Sequence, residues 1–524
     1  MGNADEKLGV GKRRRGLLTL KTGKCIMPKK REIVQKGYAM TGINEAFNSL
    51  FYPRSVAVIG ASGNRLKMGH QCLLSLQGSG FSGPVYAIHP QEREILGIPA
   101  YPNLDQVPGE VDLAILAVPA HEAIQALQGC RKKGVRGAVV ITAGFREIED
   151  RQGKRLQDEM AKVATEGGIK IIGPNTFGMV NVHARLNASF TPIFSRLKPG
   201  PITVVSQSGG VSHLIAYQAL DEGVGLGKVV GLGNRCNVEF SDLLPFLAGD
   251  PETGCIILFI EGLDDPRALF TAARKVAFQK PIVAMKAGRY TASLEAARSH
   301  TGSLAGRYEI YESSLKQAGT IVVREIRELL DVAKILTILQ PSSGRNVAVM
   351  SFQAGPGILL TDEVIRNGLK MATFSKQAQE GLDGLLPPLT IRTNPVDMAF
   401  ARNEETFEKT VHLILSDKHV DVLVVFLLYH PFMTPGRIKS PLLRQKQQSN
   451  KPILLCANSP RGLIEDEIEE LEANGIPVYN LPDRTIQALR GLIQYGEILK
   501  RKKPWDGERE KGKREKGNGC KGGE

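Results

Sequence analysis

Residues 295–306, EAARSHTGSLAG, set a single histidine, His300, among small and polar residues. A strand-like run, PIVAMKAG (281–288), precedes the stretch and a helix-like run follows it. A lone histidine is more often surface or core filler than a functional group. This one has company that argues otherwise. Imidazole can attack phosphorus, hold the phosphoryl group and hand it on. Such a carrier must travel between a donor and an acceptor, and a segment of Gly, Ser, Thr and Ala permits the travel. A carboxylate at the end of a neighbouring strand would hold the ring in its nucleophilic tautomer and stabilise it when charged. Glu261, which closes the apolar run ILFIEG (257–262), is such a carboxylate; an N-cap or a solvated loop charge is the competing reading.

Two further stretches have the composition of anion seats. VIGASGNRLKMGHQ (58–71) reads as strand, Gly-rich turn and helix, with Gly60, Ser62 and Gly63 allowing close backbone approach and Lys67 as a point charge. VVSQSGGVSH (204–213) repeats the device with Ser206, Ser208, Gly209 and Gly210 opening a helix. Either could be a structural turn. The first is neither a P-loop, whose Gly-Lys-Ser/Thr spacing is missing, nor a good dinucleotide fingerprint. A nicotinamide site needs an acid at the end of the second strand for the ribose, and here that strand ends YAIHP (86–90).

The elements that must position these groups follow from the hydrophobic pattern. Short apolar, β-branched runs alternate with helix-like segments: SVAVIG (55–60), GPVYAIHP (83–90), VDLAILAVP (111–119), GAVVITAGF (137–145) and IKIIGPN (169–175). Continuous apolar strands with intervening helices imply a parallel sheet covered on both faces. The pattern restarts at PITVVSQSGG (201–210) and again at RNVAVMSFQAGPG (345–357), with QPSSGR (340–345) reading as a linker. The expectation is an α/β chain of three doubly wound domains in series. A basic extension (1–45) precedes domains at 46–175, 176–340 and 341–499, and a charged tail (500–524) follows. Ligands in such sheets bind beyond the carboxyl ends of the strands, where every group named above falls.

The net charge of +14 does not by itself point to nucleic acid. Residues 1–37 carry 11 basic and 3 acidic groups and residues 500–524 carry 10 and 5, so the body between is near neutral. Basic tails without interleaved aromatics are usually solvated and disordered. No apolar run reaches the ~18 residues of a membrane helix, and the basic N-terminus lacks the apolar core of a secretory signal. The seven cysteines are scattered without a C-x-x-C pair, which fits a reducing cytoplasm and no zinc site on this chain.

Taken together, the motifs VAVIGAS with K-x-G, VDLAILAVP, VITAGF, GPN-x-x-G-x-x-N, VSQSGG, GLGN with SDLL, IEG, SHTGSLAG and TNPVDM resemble the α subunit of the NDP-forming acyl-CoA synthetases. Within that group they resemble the ADP-forming acetate–CoA ligases, relatives of succinyl-CoA synthetase. The resemblance runs from about residue 46 to 495. It implies a Rossmann-like CoA-binding domain followed by two flavodoxin-like domains. CoA would lie on Gly60, Ala61, Ser62, Lys67 and Gly69, with Val118, Pro119, Thr142, Ala143, Gly144 and Asn175 lining the cleft. His300 would be the phosphorylated histidine, Glu261 the carboxylate that holds it, and Ser206, Ser208, Gly209 and Gly210 the phosphoryl cradle. It further implies ADP/ATP with Mg2+ on a separate ATP-grasp β subunit in an αβ-type hetero-oligomer, a small acyl-CoA or carboxylic acid as substrate, and no nucleic-acid or membrane partner. Thr176 stands where the family often has cysteine. A non-catalytic CoA-binding regulator of the same fold is the alternative; such relatives usually lose the histidine, which this chain keeps.

Overall fold

The computed structural model describes residues 42–148, 151–293, 307–398, 403–430 and 435–501. Most of the basic extension and of the charged tail lies outside them. Among the described residues three sheets follow one another along the chain. The first contains β1 (Val56–Ile59), β2 (Val85–Ile88), β3 (Glu94–Ile95), β4 (Ile98–Tyr101), β5 (Leu113–Leu116), β6 (Gly137–Val140) and β7 (Lys170–Ile172), in the order β3-β4-β2-β1-β5-β6-β7. Only the β3–β4 pair is antiparallel.

The second sheet contains β8 (Gly178–Asn181), β9 (Leu186–Ser189), β10 (Pro199–Ser206), β11 (Leu226–Gly231), β12 (Cys255–Ile260), β13 (Ile282–Lys286) and β14 (Ile321–Val322), in the order β14-β13-β12-β10-β11-β8-β9. The third contains β15 (Asn346–Ser351), β16 (Lys370–Met371), β17 (Val396–Asp397), β18 (Val422–Leu428), β19 (Ile453–Asn458) and β20 (Val478–Tyr479). Its order is β16-β15-β18-β19-β20, with β17 pairing the far end of β15.

The central strands are apolar because helices cover both their faces. VAVI, LAIL and CIILFI are buried at every position, and each such Val, Leu or Ile contributes about 1.5–3 kcal/mol on leaving water. Parallel strands separated by helices place all their carboxyl ends on one edge. β10, β12 and β13 run in register there, with Ser206 opposite Phe259 and Ile260 opposite Lys286.

The structure departs from the sequence reading in three places. The antiparallel hairpin β8–β9 joins the second sheet through β11, although its residues are polar enough to read as loop; Asn181, Asn187 and Ser189 are buried there because their side chains donate to the Phe51 carbonyl, the Thr191 carbonyl and Asn187 Oδ1 respectively. The helix Gly42–Phe51 straddles the expected boundary at residue 45, and Phe47 and Phe51 pack on Phe246 with ring centroids 5.4 and 5.0 Å apart. The stretch 340–345 is not a free linker. Gly496 of the C-terminal helix Pro482–Lys500 lies so close to it that a Cβ would stand 2.3 Å from the Ser342 oxygen. One apolar core runs between the first and second sheets and another between the second and third. No described helix is long and apolar enough to cross a membrane.

Candidate functional site at the carboxyl edges of the first two sheets

The first Gly-rich turn is fixed by packing. Gly60 has φ +86°, and a Cβ on it would meet the Ala117 oxygen at 2.6 Å. Gly69, in the first turn of the helix Met68–Ser79, would carry a Cβ 1.9 Å from the Gly60 oxygen. Both glycines therefore let the helix start dock on the end of β1. Ala61 and Ser62 are buried. Ser62 Oγ accepts the Asn64 N–H at 3.1 Å and its carbonyl bonds His70 Nδ1 at 2.9 Å, so this serine shapes the turn. Lys67 occupies the N-cap position, exposed and without a side-chain cap bond, which leaves the helix start and a cation facing solvent together.

An acid does return to this turn. Glu92, four residues past the end of β2, accepts the Gly63 N–H at 3.2 Å, and its own N–H is held by His89 Nδ1 at 2.9 Å. The sequence reading looked for an acid at the strand end and missed one delivered by the following loop.

The cleft walls are linked strand by strand. Pro119 is the N-cap residue of the helix Ala120–Lys133. Thr142 Oγ1 donates to the Val118 carbonyl at 2.6 Å, and the Thr142 carbonyl accepts the Asn175 N–H at 2.8 Å. Gly60, Val118, Thr142 and Asn175 thus form one series of contacts over the ends of β1, β5, β6 and β7. Ala143 is exposed, but Gly144, at φ +106°, has its N–H taken by Glu147 Oε1 at 2.5 Å. The other Glu147 oxygen accepts from Asn234 Nδ2 at 2.5 Å. The Gly144 N–H is therefore committed to the fold. Neither Glu147 nor Asn234 was singled out from the sequence.

The second turn is built differently. Ser206 ends β10 and donates Oγ to the Ser208 carbonyl at 2.7 Å. Ser208 is the N-cap of the helix Gly209–Glu222, its Oγ accepting the Val211 N–H at 3.4 Å. A Cβ on Gly210 would meet nothing nearer than 3.9 Å, and one on Gly209 nothing nearer than 3.8 Å. Packing does not demand glycine at either position. What glycine leaves is open space over a capped helix N-terminus, where backbone N–H groups and the helix dipole favour an anion.

Glu261 stands beside this turn on the adjacent strand. Gln207, buried between the two serines, accepts the N–H groups of Glu261 and Gly262 at 2.9 and 3.1 Å. On the next strand, Lys286 is also buried and donates to the carbonyls of Glu261 at 2.8 Å and Ala287 at 2.5 Å. Its ammonium lies 5.0 Å from the centre of the Tyr311 ring. Burial brings the amine down to about 8, opposed by the charge of Glu261. The signal for Lys286 is in the sequence, as the one charge in an otherwise apolar strand run; Gln207 carries no such signal, lying between two serines at the start of a Gly-rich turn.

Residues 174–177 connect the two clusters. Thr176 Oγ1 donates to the Gly231 carbonyl at 2.6 Å and accepts the Gly178 N–H at 3.0 Å, the Ser206 carbonyl accepts the Leu232 N–H at 2.8 Å, and Asn234 donates its N–H to the Pro174 carbonyl at 2.9 Å. His300 lies outside the described residues, which resume at Arg307. The described thiols Cys72, Cys130, Cys236, Cys255 and Cys456 are all pushed upward by burial, which makes them poor nucleophiles. No group of three or more potential metal ligands occurs among the described residues.

The chain is similar to known proteins over most of its length. Residues 54–181 match the family described as CoA binding domain, 199–336 the succinyl-CoA ligase-like flavodoxin domain, and 347–480 the ligase-CoA domain. The chain is 39% identical to the α subunit of acetate–CoA ligase [ADP-forming] II from Pyrococcus furiosus, over 85% of this chain and 96% of that one. It is 37% identical to acetate–CoA ligase [ADP-forming] I from Archaeoglobus fulgidus, of whose length it spans 64%. Among solved structures, the acetyl-coenzyme A synthetase 1 of Ca. Korarchaeum cryptofilum, in complex with phosphate and ADP, superposes with a TM-score of 0.79 at 30% identity, covering 87% of this chain and 98% of that one. The chain belongs to the family of ADP-forming acetate–CoA ligases, as a counterpart of their α subunits.

Proposed function

We propose that this chain is the CoA-binding, phosphoryl-carrying subunit of an ADP-forming acyl-CoA synthetase, interconverting acyl-CoA, ADP and phosphate with acid, CoA and ATP. The observation that carries the reading is the open helix start at Ser208–Gly210 with Glu261 held beside it, on the sheet whose β13 leads to His300.

CoA is a substrate here. The turn from Gly60 to Gly69 with exposed Lys67 suits its phosphates, and Val118, Pro119, Thr142, Ala143 and Asn175 line the way towards the second sheet. A phosphate oxygen attacks the thioester carbonyl, and the C–S bond breaks with the electron pair leaving on sulfur, which gives acyl phosphate and CoA thiolate. An imidazole nitrogen of His300 then attacks phosphorus and the P–O bond to the acyl oxygen breaks, releasing the carboxylate. The helix start at Ser206, Ser208, Gly209 and Gly210 holds the phosphoryl oxygens, and Glu261 stabilises the charged ring. The phosphoryl group finally passes to an ADP oxygen. That last step calls for a nucleotide site with Mg2+, which we assign to a separate ATP-grasp β subunit in a cytoplasmic hetero-oligomer.

Full-length chain mixed with a candidate ATP-grasp chain should form ATP from acetyl-CoA, phosphate and ADP, and neither chain alone should do so. Tight CoA binding with no ATP from any such pairing would instead favour a regulatory protein of the same fold.

A further inference from the structure

Lys286 is a costly choice of residue. It ends β13 almost fully buried, and removing an ammonium from water costs several kcal/mol before its partners compensate. Methionine would fill similar space with no charge to desolvate. What lysine adds is a cation and its N–H donors, and the structure shows where two of these go. One reaches the carbonyl of Glu261 across the strand boundary, and the other the carbonyl of Ala287, at the root of the segment that leads to His300. The ammonium thus ties the backbone of the carboxylate-bearing residue to the start of that segment, with its charge close enough to Glu261 for mutual attraction.

We propose that Lys286 is a positioning residue for phosphoryl transfer: its ammonium fixes the backbone at Glu261 and Ala287 and so holds the Glu261 carboxylate in place at the sheet edge. The inference rests on the function proposed above. Among the described residues, the groups facing this ammonium are Glu261 after β12 and the Tyr311 ring on the helix Tyr308–Gln317, with Arg235 and Asp264 acting on Tyr311 in turn. Burial lowers the amine to about 8 against the attraction of Glu261, so the cation is lost as pH rises through that value. Loss of the cation should slow His300 phosphorylation without weakening CoA binding, because the CoA residues lie on the first sheet.

The test uses the full-length chain with its ATP-grasp partner, acetyl-CoA and labelled inorganic phosphate, and follows acid-labile label on the chain from pH 6.5 to 9.5. Wild type should show an alkaline limb near pH 8. Lys286→Met should label at least about tenfold more slowly at pH 7, the low end of what is lost when the group that orients a metal ligand is removed, and should lack that limb; its KM for CoA should stay unchanged. Lys286→Arg, which keeps a cation, should recover much of the rate and hold it above pH 9. Equal slowing of both variants with the wild-type limb intact would mean a merely structural lysine and overturn the proposal. A wild-type profile flat from pH 7 to 9 would overturn it even if the methionine variant fails to fold. A wild type that takes no label at any pH overturns the proposed function and this inference with it.

Discussion

The side-chain oxygen of Gln207 accepts two consecutive backbone N–H groups, those of Glu261 at 2.9 Å and Gly262 at 3.1 Å, and so holds the end of β12 from the neighbouring strand. Gln207→Leu leaves both donors buried without an acceptor, a loss of about 1–3 kcal/mol for each. Gln207→Glu keeps an acceptor oxygen. Denaturant unfolding should therefore show a clear drop in stability for the leucine variant and a smaller one for the glutamate variant. Phosphorylation of His300 should fall in the same order. Equal stability of leucine and wild type would remove the glutamine from the account.

The two Gly-rich turns should respond oppositely to substitution. Gly69→Ala forces a methyl into the Gly60 carbonyl, and overpacking of this kind costs about 1–3 kcal/mol. The melting temperature should fall and CoA binding with it. A Cβ at Gly210 meets no close neighbour, so Gly210→Val places its methyl groups towards open space over the helix start. That variant should melt like wild type yet lose at least about tenfold in phosphoryl-transfer rate, near 1.4 kcal/mol in the barrier, because the side chain fills the space over the helix start. Full activity of the valine variant would argue against an anion at that helix.

Acid stability should track the pair Lys228–Asp250. The lysine side chain is fully buried and its ammonium lies 2.7 Å from Asp250 Oδ2. Burial alone would push the Asp250 carboxyl upward, but the charge of Lys228 and hydrogen bonds from Lys228 and Thr253 outweigh it, leaving the group below its ordinary value. The pair's contribution is then complete above about pH 4 and is lost as pH falls through the lowered value. Lys228→Met should cost about 3–5 kcal/mol near neutrality by stranding a buried carboxylate. That deficit should shrink in acid, where Asp250 takes up a proton. Chemical denaturation at pH 3, 5 and 7 measures both.

The junction of the second and third sheets has its own pin. Arg484 donates Nε to Asp331 Oδ2 at 2.9 Å, Nη2 to Glu222 Oε2 at 2.7 Å and Nη1 to Asn480 Oδ1 at 2.9 Å. Arg484→Met leaves Asp331 buried without its cation and should cost about 3–5 kcal/mol. CoA affinity, measured calorimetrically on the folded variant, should not change.

Much of this was legible in the sequence because buried parallel strands leave an unmistakable trace. CIILFI and VLVVFLL contain no polar residue, and the first runs into Glu261 at the sheet edge. The hairpin Gly178–Asn181 and Leu186–Ser189 was not legible, since its buried Asn181 is satisfied by a partner distant in sequence, the Phe51 carbonyl. Glu92 and Glu147 were hidden for the same reason, as loop acids whose value appears only once the loop folds back on Gly63 or Gly144. Thr176, which stands where the family often has cysteine, has its hydroxyl engaged with Gly231 and Gly178 and serves the crossing between the two sheets.

The most direct measurement is the identity of the phosphorylated residue. Full-length chain, its ATP-grasp partner, acetyl-CoA and labelled phosphate should yield one acid-labile, base-stable phosphate, mapped to His300 by peptide mass spectrometry and absent from His300→Ala. Undiminished label in that variant, or label on another residue, would contradict the account.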